Sequence, residues 1–205
     1  MSMKHIFQPG ATPDSPTLVL FHGTGGTERD LLPLAGRIDP SAAILSVRGN
    51  VLENGMPRFF RRLAEGVFDE EDLVFRTKET YDFLTAAAEE YKLDRSKFVA
   101  IGYSNGANIA GSLLFHYKDA FDKAILHHPM VPMRGLKLPD LAGTAIFIGA
   151  GTNDPICAPQ ETEELSGLLA EAGASVKVHW EHYGHQLTSS EVLAAANWYQ
   201  TEGKA

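Results

Sequence analysis

The segment 102–106, with the sequence GYSNG, constrains the fold of this chain more than any other feature. It fits the pattern G-x-S-x-G, in which a serine lies on a sharp turn between a strand and a helix. The apolar run 98–101 precedes it and is typical of a short buried strand, and the small residues of 107–115 favour a helix after it. Gly102 and Gly106 leave room for a close backbone crossing. The sequence therefore predicts that Ser104 is presented at the end of a sheet.

Apolar runs alternate with helical patterns along the chain, and this order predicts an α/β fold. The predicted strands are 17–21, 43–48, 98–103, 123–127, 145–149 and 176–181, with 3–8 as a candidate antiparallel edge strand. The predicted helices are 28–37, 70–92, 105–117, 159–172 and 189–200. A chain of 205 residues with 44% hydrophobic residues can build one substantial core. We expect a single domain, 1–205, with a mostly parallel sheet of about six to seven strands and helices on both faces.

Two further residues follow predicted strands and complete a chemical set with the serine. Asp154 comes after the strand 145–149, and His185 comes after 176–181. The loops at the carboxyl ends of parallel strands meet at one edge of an open sheet. A serine hydroxyl is a poor nucleophile, so His185 would take its proton and Asp154 would orient and stabilise the imidazolium. The order Ser104, Asp154, His185 is the order found on the α/β-hydrolase fold.

The segment 22–26, with the sequence HGTGG, follows the first predicted parallel strand. It is similar to the HGGG-type loop that helps to form an oxyanion hole. We assign the two donors of that hole to the backbone N–H groups of Thr24 and Asn105. Asn105 opens a helix, where free N–H groups and the helix dipole favour negative charge. We expect His22 to fix the loop by hydrogen bonds and to take no part in the chemistry.

Together these residues resemble the α/β-hydrolase superfamily and, more narrowly, the small bacterial phospholipase/carboxylesterase family that includes acyl-protein thioesterases. Further matches are Arg48-Gly49 and the segments 57–60 and 128–132, and the chain looks closest to the YodD/MhqD-like carboxylesterases. The resemblance implies a serine carboxylesterase without a cofactor. One departure is Asn105, where acyl-protein thioesterases carry glutamine, which weakens the case for a thioesterase. A lysophospholipase and a non-catalytic ligand-binding protein with a hydrolase fold also fit the sequence.

The sequence has no long insertion after the strand 123–127, where many hydrolases carry a helical lid. Only 129–140 lies there, and 50–69 is the other candidate cover. We therefore expect no large lid, an open site and substrates that are small or short-chain esters. The candidates for an apolar substrate-binding wall are Met56, Phe59, Phe60, Met130, Val131 and Met133, with His128 as a further lining residue.

The catalytic acid, base and nucleophile each have a rival in the sequence. Asp140 is the rival acid, but no strand precedes it, and His182 is the rival base, but it lies at the edge of a strand. Cys157 is not at the turn that carries the serine, so we interpret it as a small buried hydrophobic residue. Four arginines near the matched segments are more often salt-bridged surface residues than substrate anchors. They are Arg48, Arg58, Arg61 and Arg62.

A metal site would provide a different chemistry. His179, His182 and His185 are evenly spaced, but odd spacing places the first two on opposite faces of a strand. We therefore predict no metal and no other cofactor.

The charge and the cysteine content limit the partners of the chain. The net charge of −8 argues against nucleic acid and anionic membrane surfaces. The sequence has no apolar run of about 18 residues, so we expect no membrane span. Its single cysteine rules out an intramolecular disulfide and, with no visible secretory signal in 1–10, favours the cytoplasm. The family resemblance suggests a homodimer.

Overall fold

The computed structural model describes residues 2–202, which contain eleven strands and five α-helices. The strands are β1 (His5–Gln8), β2 (Thr17–Phe21), β3 (Ala43–Val47), β4 (Val51–Glu53), β5 (Met56–Arg58), β6 (Arg62–Ala64), β7 (Val67–Phe68), β8 (Phe98–Tyr103), β9 (Lys123–His127), β10 (Ala145–Gly151) and β11 (Ser175–Glu181). The α-helices are α1 (Leu32–Ile38), α2 (Glu70–Tyr91), α3 (Asn105–His116), α4 (Pro159–Glu171) and α5 (Ser189–Glu202), and a 3₁₀ turn spans Arg95–Lys97.

Seven strands form the main sheet in the order β1-β3-β2-β8-β9-β10-β11. All neighbours in this sheet are parallel except β1, which pairs antiparallel with β3 at one edge. This architecture confirms the predicted α/β-hydrolase fold with its mostly parallel sheet. It also brings the carboxyl ends of β8, β9, β10 and β11 side by side, where the predicted site residues lie.

Helices cover both faces of the sheet, as the alternation of apolar side chains requires. On β2, Val19 and Phe21 face the core shared with α2, α3 and α4, whereas Leu18 and Leu20 face the core shared with α1 and α5. All five residues of β2 are buried. Because both faces of the central strands are covered, these strands are continuous apolar runs in the sequence.

The first helix differs most from its predicted bounds, since it begins at Leu32 and not at residue 28. The hydroxyl of Thr27 donates to Asp30 Oδ1 at 2.9 Å, which holds this stretch as a turn. Glu28 is buried and accepts from Arg48 at 2.5 Å, so its side chain anchors the turn to the sheet. Pro33 lacks an N–H group and is tolerated only in the first turn of a helix. The other predicted elements agree with the observed ones to within two residues.

The region above the sheet carries only a light cover. Segment 50–69 forms two short hairpins, β4 with β5 and β6 with β7. Segment 129–140 contains neither a helix nor a strand, in agreement with the predicted lack of a large lid. None of the helices within 2–202 has the length and apolar character needed to cross a bilayer.

Candidate active site

Ser104 lies in a strained turn between β8 and α3, with φ +53° and ψ −115°. The packing around the turn enforces this conformation, which costs energy for a residue with a side chain. A Cβ atom on Gly106 would lie 2.0 Å from the carbonyl oxygen of Phe21, and one on Gly102 would lie 2.7 Å from the backbone of Ala107. The Ser104 N–H donates to His127 O at 2.9 Å. The turn thus requires glycine on both sides of the serine, as the motif predicts.

The structure brings Ser104, His185 and Asp154 into one hydrogen-bonded chain. Ser104 Oγ lies 2.8 Å from His185 Nε2, and His185 Nδ1 lies 2.7 Å from Asp154 Oδ2. The N–H groups of Ile156 and Cys157 donate to Asp154 Oδ1 at 2.8 and 2.9 Å. Burial alone would raise the pKa of Asp154, but these N–H groups and His185 hold it below its ordinary value. The carboxylate is therefore ionised at neutral pH and fixes His185 with Nδ1 protonated.

The rival acid and base lie elsewhere. Asp140 is exposed and accepts from the N–H of Ala142 at 2.9 Å. His182 contacts the hydroxyl of Thr152 at 2.8 Å through its Nδ1 atom. Among the described residues Asp140 makes no hydrogen bond to His185 and His182 makes none to Ser104, so the geometry favours Asp154 and His185 over both rivals.

Thr24 and Asn105 present backbone N–H groups that have no hydrogen-bond acceptor within 2–202. Both residues line the cavity that contains Ser104. His22 holds the loop as expected, because its Nδ1–H donates to Gly23 O at 2.6 Å and its Nε2 accepts from the Gly49 N–H at 3.1 Å. Two free N–H donors beside Ser104 are an arrangement that can stabilise a developing oxyanion.

The side chain of Asn105 has a role that the sequence does not indicate. Its Oδ1 atom accepts from the backbone N–H of Phe59 at 2.7 Å, which ties the hairpin segment to the serine turn. Its Nδ2 atom is buried and has no partner among the described residues. The departure from glutamine at this position thus places a short amide where the hairpin backbone approaches.

The cavity beside Ser104 has a volume of about 240 Å³. It is lined by Thr24, Arg58, Arg62, Gly66, Phe68, Tyr103, Ser104, Asn105, Asn108, His128, Met130, Ile156 and His185. Its walls are therefore mixed, with arginine and amide groups beside aromatic and aliphatic ones. Such a cavity is smaller than the pockets that enclose drug-sized ligands, which measure roughly 300–1,000 Å³.

The structure corrects part of the predicted substrate-binding wall. His128 and Met130 line the cavity, but Phe59, Phe60 and Val131 are buried in the core. The Phe59 ring packs edge-on against Phe21, and the Phe60 ring packs edge-on against Phe68. Two predicted methionines also lie outside the lining. Met56 approaches Gly25, and Met133 packs partly buried against the core.

The four arginines divide into two groups. Arg48, Arg61 and Arg62 form salt bridges with Glu28, Asp69 and Glu53, as expected. Arg58 departs from this expectation because it is only 4% exposed, and both it and Arg62 line the cavity. Its Nη1–H donates to Thr24 Oγ1 at 2.6 Å and its Nε–H donates to Phe60 O at 3.2 Å.

The described residues hold one His/Asp group that is compact enough to chelate an ion, namely His128, Asp154 and His185, whose ligand atoms lie within 4.8 Å of one another. The Nδ1 atoms of both histidines contact the same oxygen, Asp154 Oδ2, so hydrogen bonds already occupy these atoms. His179 and His182 contact Glu181 and Thr152 and do not join this group. The lack of a metal cofactor remains a prediction.

Cys157 is buried, and its thiol donates to Pro129 O at 2.8 Å. Burial raises the pKa of this thiol to about 12, so it is not a thiolate at neutral pH. These properties fit the interpretation of Cys157 as a buried small residue beside the acid loop.

Comparisons with known proteins cover almost the whole chain. The sequence model of the dienelactone hydrolase family matches residues 61–196. The putative hydrolase MhqD of Bacillus subtilis (strain 168) is 59% identical over 198 residues, which span 97% of this chain and 98% of that protein.

Solved structures give a similar result. A carboxylesterase of Bacillus cereus superposes with a TM-score of 0.96 and 65% identity, over 98% of this chain and 94% of that chain. YahD, solved with malic acid, superposes with a TM-score of 0.94 and 35% identity, over 98% and 100% of the two chains.

Proposed function

Since this chain belongs to the dienelactone hydrolase family, we propose that it is a serine carboxylesterase for small or short-chain carboxylic esters. The observation that carries the proposal is the chain of contacts from Ser104 Oγ through His185 to the buried carboxylate of Asp154. The solved carboxylesterase of Bacillus cereus, 65% identical, supports the same class of reaction.

The first half of the reaction forms an acyl-enzyme. Ser104 Oγ attacks the ester carbonyl carbon while His185 Nε2 takes the hydroxyl proton. The negative oxygen of the tetrahedral intermediate accepts hydrogen bonds from the N–H groups of Thr24 and Asn105. His185 then gives its proton to the leaving alcohol, and the acyl group stays on Ser104.

The second half releases the acid. Water takes the place of the alcohol, and His185 removes a proton from it as it attacks the acyl carbon. The same oxyanion donors stabilise the second intermediate, and its collapse returns the proton to Ser104. Asp154 remains ionised throughout and stabilises the imidazolium in both halves.

The size of the cavity supports a small acyl group. A volume of about 240 Å³ and a wall that includes Arg58, Arg62 and Asn108 offer little enclosed apolar surface. A thioesterase would use the same three residues, so the two activities differ only in the leaving group and are separated by kinetics.

Replacing the nucleophile tests the proposal. Ser104→Ala should lower the turnover of a short nitrophenyl ester by roughly 10⁴–10⁶ and abolish labelling by a fluorophosphonate. Cys157→Ala is the matched control. It should keep the wild-type turnover and the fluorophosphonate labelling, because the buried thiol takes no part in the reaction. Circular dichroism should show the same fold in both variants. A chelator should leave the wild-type rate unchanged.

Three results would contradict parts of this proposal. A Ser104→Ala variant with a tenth of the wild-type rate would exclude Ser104 as the nucleophile. Ester binding without turnover in the wild type would favour a ligand-binding protein. Activity lost to EDTA and restored by zinc or iron would favour a metal mechanism at the histidines.

A further inference from the structure

A second buried histidine, His128, contacts the same oxygen of the proposed catalytic acid as His185 does. His128 follows the last residue of β9 and adopts φ +54°, a conformation that is uncommon for a residue with a side chain. Its backbone N–H donates to Gly149 O at 2.7 Å, and its side chain is 1% exposed. Its position is therefore fixed by the sheet, at the cost of local backbone strain.

Each ring nitrogen of His128 faces a different carboxylate. Nδ1 lies 2.9 Å from Asp154 Oδ2, and Nε2 lies 3.0 Å from Glu191 Oε2. The carboxylates of Asp154 and Glu191 are both fully buried. A neutral imidazole has a single N–H group, so one of these contacts would place a nitrogen lone pair against carboxylate lone pairs. Hydrogen bonds on both sides require a proton on each ring nitrogen, or a protonated carboxyl group.

The other contacts of the two carboxylates favour their ionised forms. Asp154 accepts three further N–H bonds, from Ile156, Cys157 and His185. Glu191 accepts from His127 Nδ1 through its second oxygen. Glu191 also lies in the first turn of α5, where the helix dipole favours a negative charge. The extra proton therefore belongs on His128.

The fold makes space for the second carboxylate. A Cβ atom on Gly149 would lie 2.0 Å from Glu191 Oε1, so β10 requires glycine at this point. Thr188 Oγ1 accepts from the Glu191 N–H at 3.2 Å and caps the start of α5. Because the cap uses the hydroxyl of Thr188, the Glu191 side chain is free to enter the core.

We propose that His128 is a buried imidazolium that links Asp154 to Glu191 and thereby limits how strongly Asp154 draws a proton onto His185. This role rests on the proposed function, because it acts through the acid and base of that reaction. His128 is thus a positioning residue, and its charge offsets one of the two buried negative charges. Without that charge, the buried negative charges of Asp154 and Glu191 would act on His185 without compensation.

The pKa directions agree with this assignment. Burial alone would lower the pKa of His128, but the hydrogen bonds and charges of Glu191 and Asp154 raise it above its ordinary value. Burial alone would raise the pKa of Glu191, but the two histidines lower it to about 2. The ionisable groups that face His128 or its partners are Asp154, Glu191, His185, Tyr103 and His127.

Nitrogen NMR of the whole protein, labelled with ¹⁵N-histidine, tests the charge directly. His128→Asn identifies the His128 signals by their disappearance. Both ring nitrogens of His128 should be protonated at about pH 8, well above the ordinary histidine value of about 6.5. A single protonated nitrogen at that pH would overturn the proposal. In Glu191→Gln the amide can donate to Nε2, so the second proton should be lost at a lower pH than in the wild type.

Kinetics tests the effect on the base. Asn tolerates a positive φ and keeps an N–H donor toward Asp154, but it carries no charge. In His128→Asn the midpoint of the rise of kcat/KM with pH should move up by about one unit. His182→Asn, a nearby exposed histidine, is the matched control and should leave the midpoint unchanged. A lower kcat/KM with the midpoint unmoved would show a merely structural role and overturn the proposal.

The experiments distinguish a failure of the proposed esterase function from a failure of the proposed role of His128. If Ser104→Ala stays active, the proposed function falls, whereas the NMR result still decides the charge on His128. If Ser104→Ala is inactive and His128 has one protonated nitrogen, the esterase proposal stands and this inference falls. If His128→Asn does not fold, His128→Gln identifies the His128 signals in its place, and the wild-type NMR result still decides the question.

Discussion

At the scale of the residue, Thr24 has two roles that depend on each other. Its N–H is a proposed oxyanion donor, and its hydroxyl accepts from the buried guanidinium of Arg58 at 2.6 Å. A buried charge is costly unless it is paired and hydrogen-bonded, and the nearest carboxylate, Glu53, lies 3.8 Å away. The hydroxyl thus partners Arg58 and fixes the loop that positions the N–H.

Replacing Thr24 separates these roles. Thr24→Val keeps the shape but removes the hydroxyl that accepts from Arg58 Nη1–H, so the loop should shift and kcat should fall roughly 10- to 100-fold. This is below the ~10²–10³ loss expected when a donor is removed outright. Thr24→Ser keeps the hydroxyl and should stay within a few fold of wild type. Steady-state kinetics on one short ester compares the two, and equal rates would show that the hydroxyl does not position the loop.

Residues that follow long strands can be located from the sequence, whereas residues whose partners are distant cannot. Ser104 and Asp154 each follow an apolar run, and His185 follows an alternating run; each run marks a strand that ends at the same edge of the sheet. Glu191 lies in the first turn of a helix, where an acidic residue is ordinary. Its partner His128 is 63 residues away, and only the folded sheet brings the two together. The burial of Glu191 has no local signal in the sequence.

At the scale of the element, the two hairpins of 50–69 determine the shape of the cavity. Their strands are only two or three residues long. Within so few residues, an alternation of apolar and polar side chains cannot be distinguished from the sequence of a loop. For this reason the sequence wrongly predicts that Phe59 and Phe60 face the substrate, although both pack in the core. Two hydrogen bonds join this segment to the site, one from the Phe59 N–H to the side-chain oxygen Asn105 Oδ1 and one from the Gly25 N–H to Pro57 O.

Phe68 at the end of β7 is the hairpin residue that should limit acyl length. It lines the cavity, and its ring packs edge-on against Phe60 at 5.0 Å. The wild type should prefer short acyl groups, and Phe68→Ala should move the optimum of kcat/KM to longer chains by about two carbons, because the lost ring opens apolar space. Val67→Ala changes an exposed side chain of the same strand and should leave the optimum acyl length unchanged.

Nitrophenyl esters of graded acyl length measure this preference. A wild-type kcat/KM that rises steadily to long chains would contradict the short-chain prediction and favour a lysophospholipase. If the acyl-length optimum of kcat/KM is unchanged in Phe68→Ala, another part of the cavity wall limits the acyl length.

At the scale of the whole molecule, the buried ionisable groups join a helix on one face of the sheet to the carboxyl ends of two strands. Glu191 comes from α5, which packs on the same face as α1, and it contacts His127 and His128 at the end of β9. Asp154 follows β10 and contacts His128 in turn. The network therefore connects the fold as well as the site, and its protonation should affect global stability.

The sign of that effect follows from the pKa directions. The pKa of Glu191 is lowered from its ordinary 4.5 to about 2, so the unfolded chain binds its proton more readily than the folded protein does. Its stabilising contribution is complete above 4.5 and is lost as the pH falls toward 2. The pKa of His128 is raised, so its contribution is complete below its ordinary 6.5 and is lost as the pH rises through the folded value. Both stabilising contributions are complete together only between the two ordinary pKa values, 4.5 for Glu191 and 6.5 for His128.

Urea unfolding between about pH 3 and pH 8 should therefore show a free energy of unfolding that falls on the acid side. Glu191→Gln removes the group that titrates there, so the variant should be less stable near pH 6 and lose less stability on acidification. The gap between the variant and the wild type should narrow as the pH falls below about 4.5. Glu89→Gln, at an exposed position on α2, is the matched control and should keep the wild-type slope. Parallel curves for Glu191→Gln and the wild type would mean that folding does not lower the pKa of Glu191. A wild type that gains stability relative to Glu191→Gln as the pH falls would mean that Glu191 is protonated in the folded protein, and would remove the second carboxylate from the proposed role of His128.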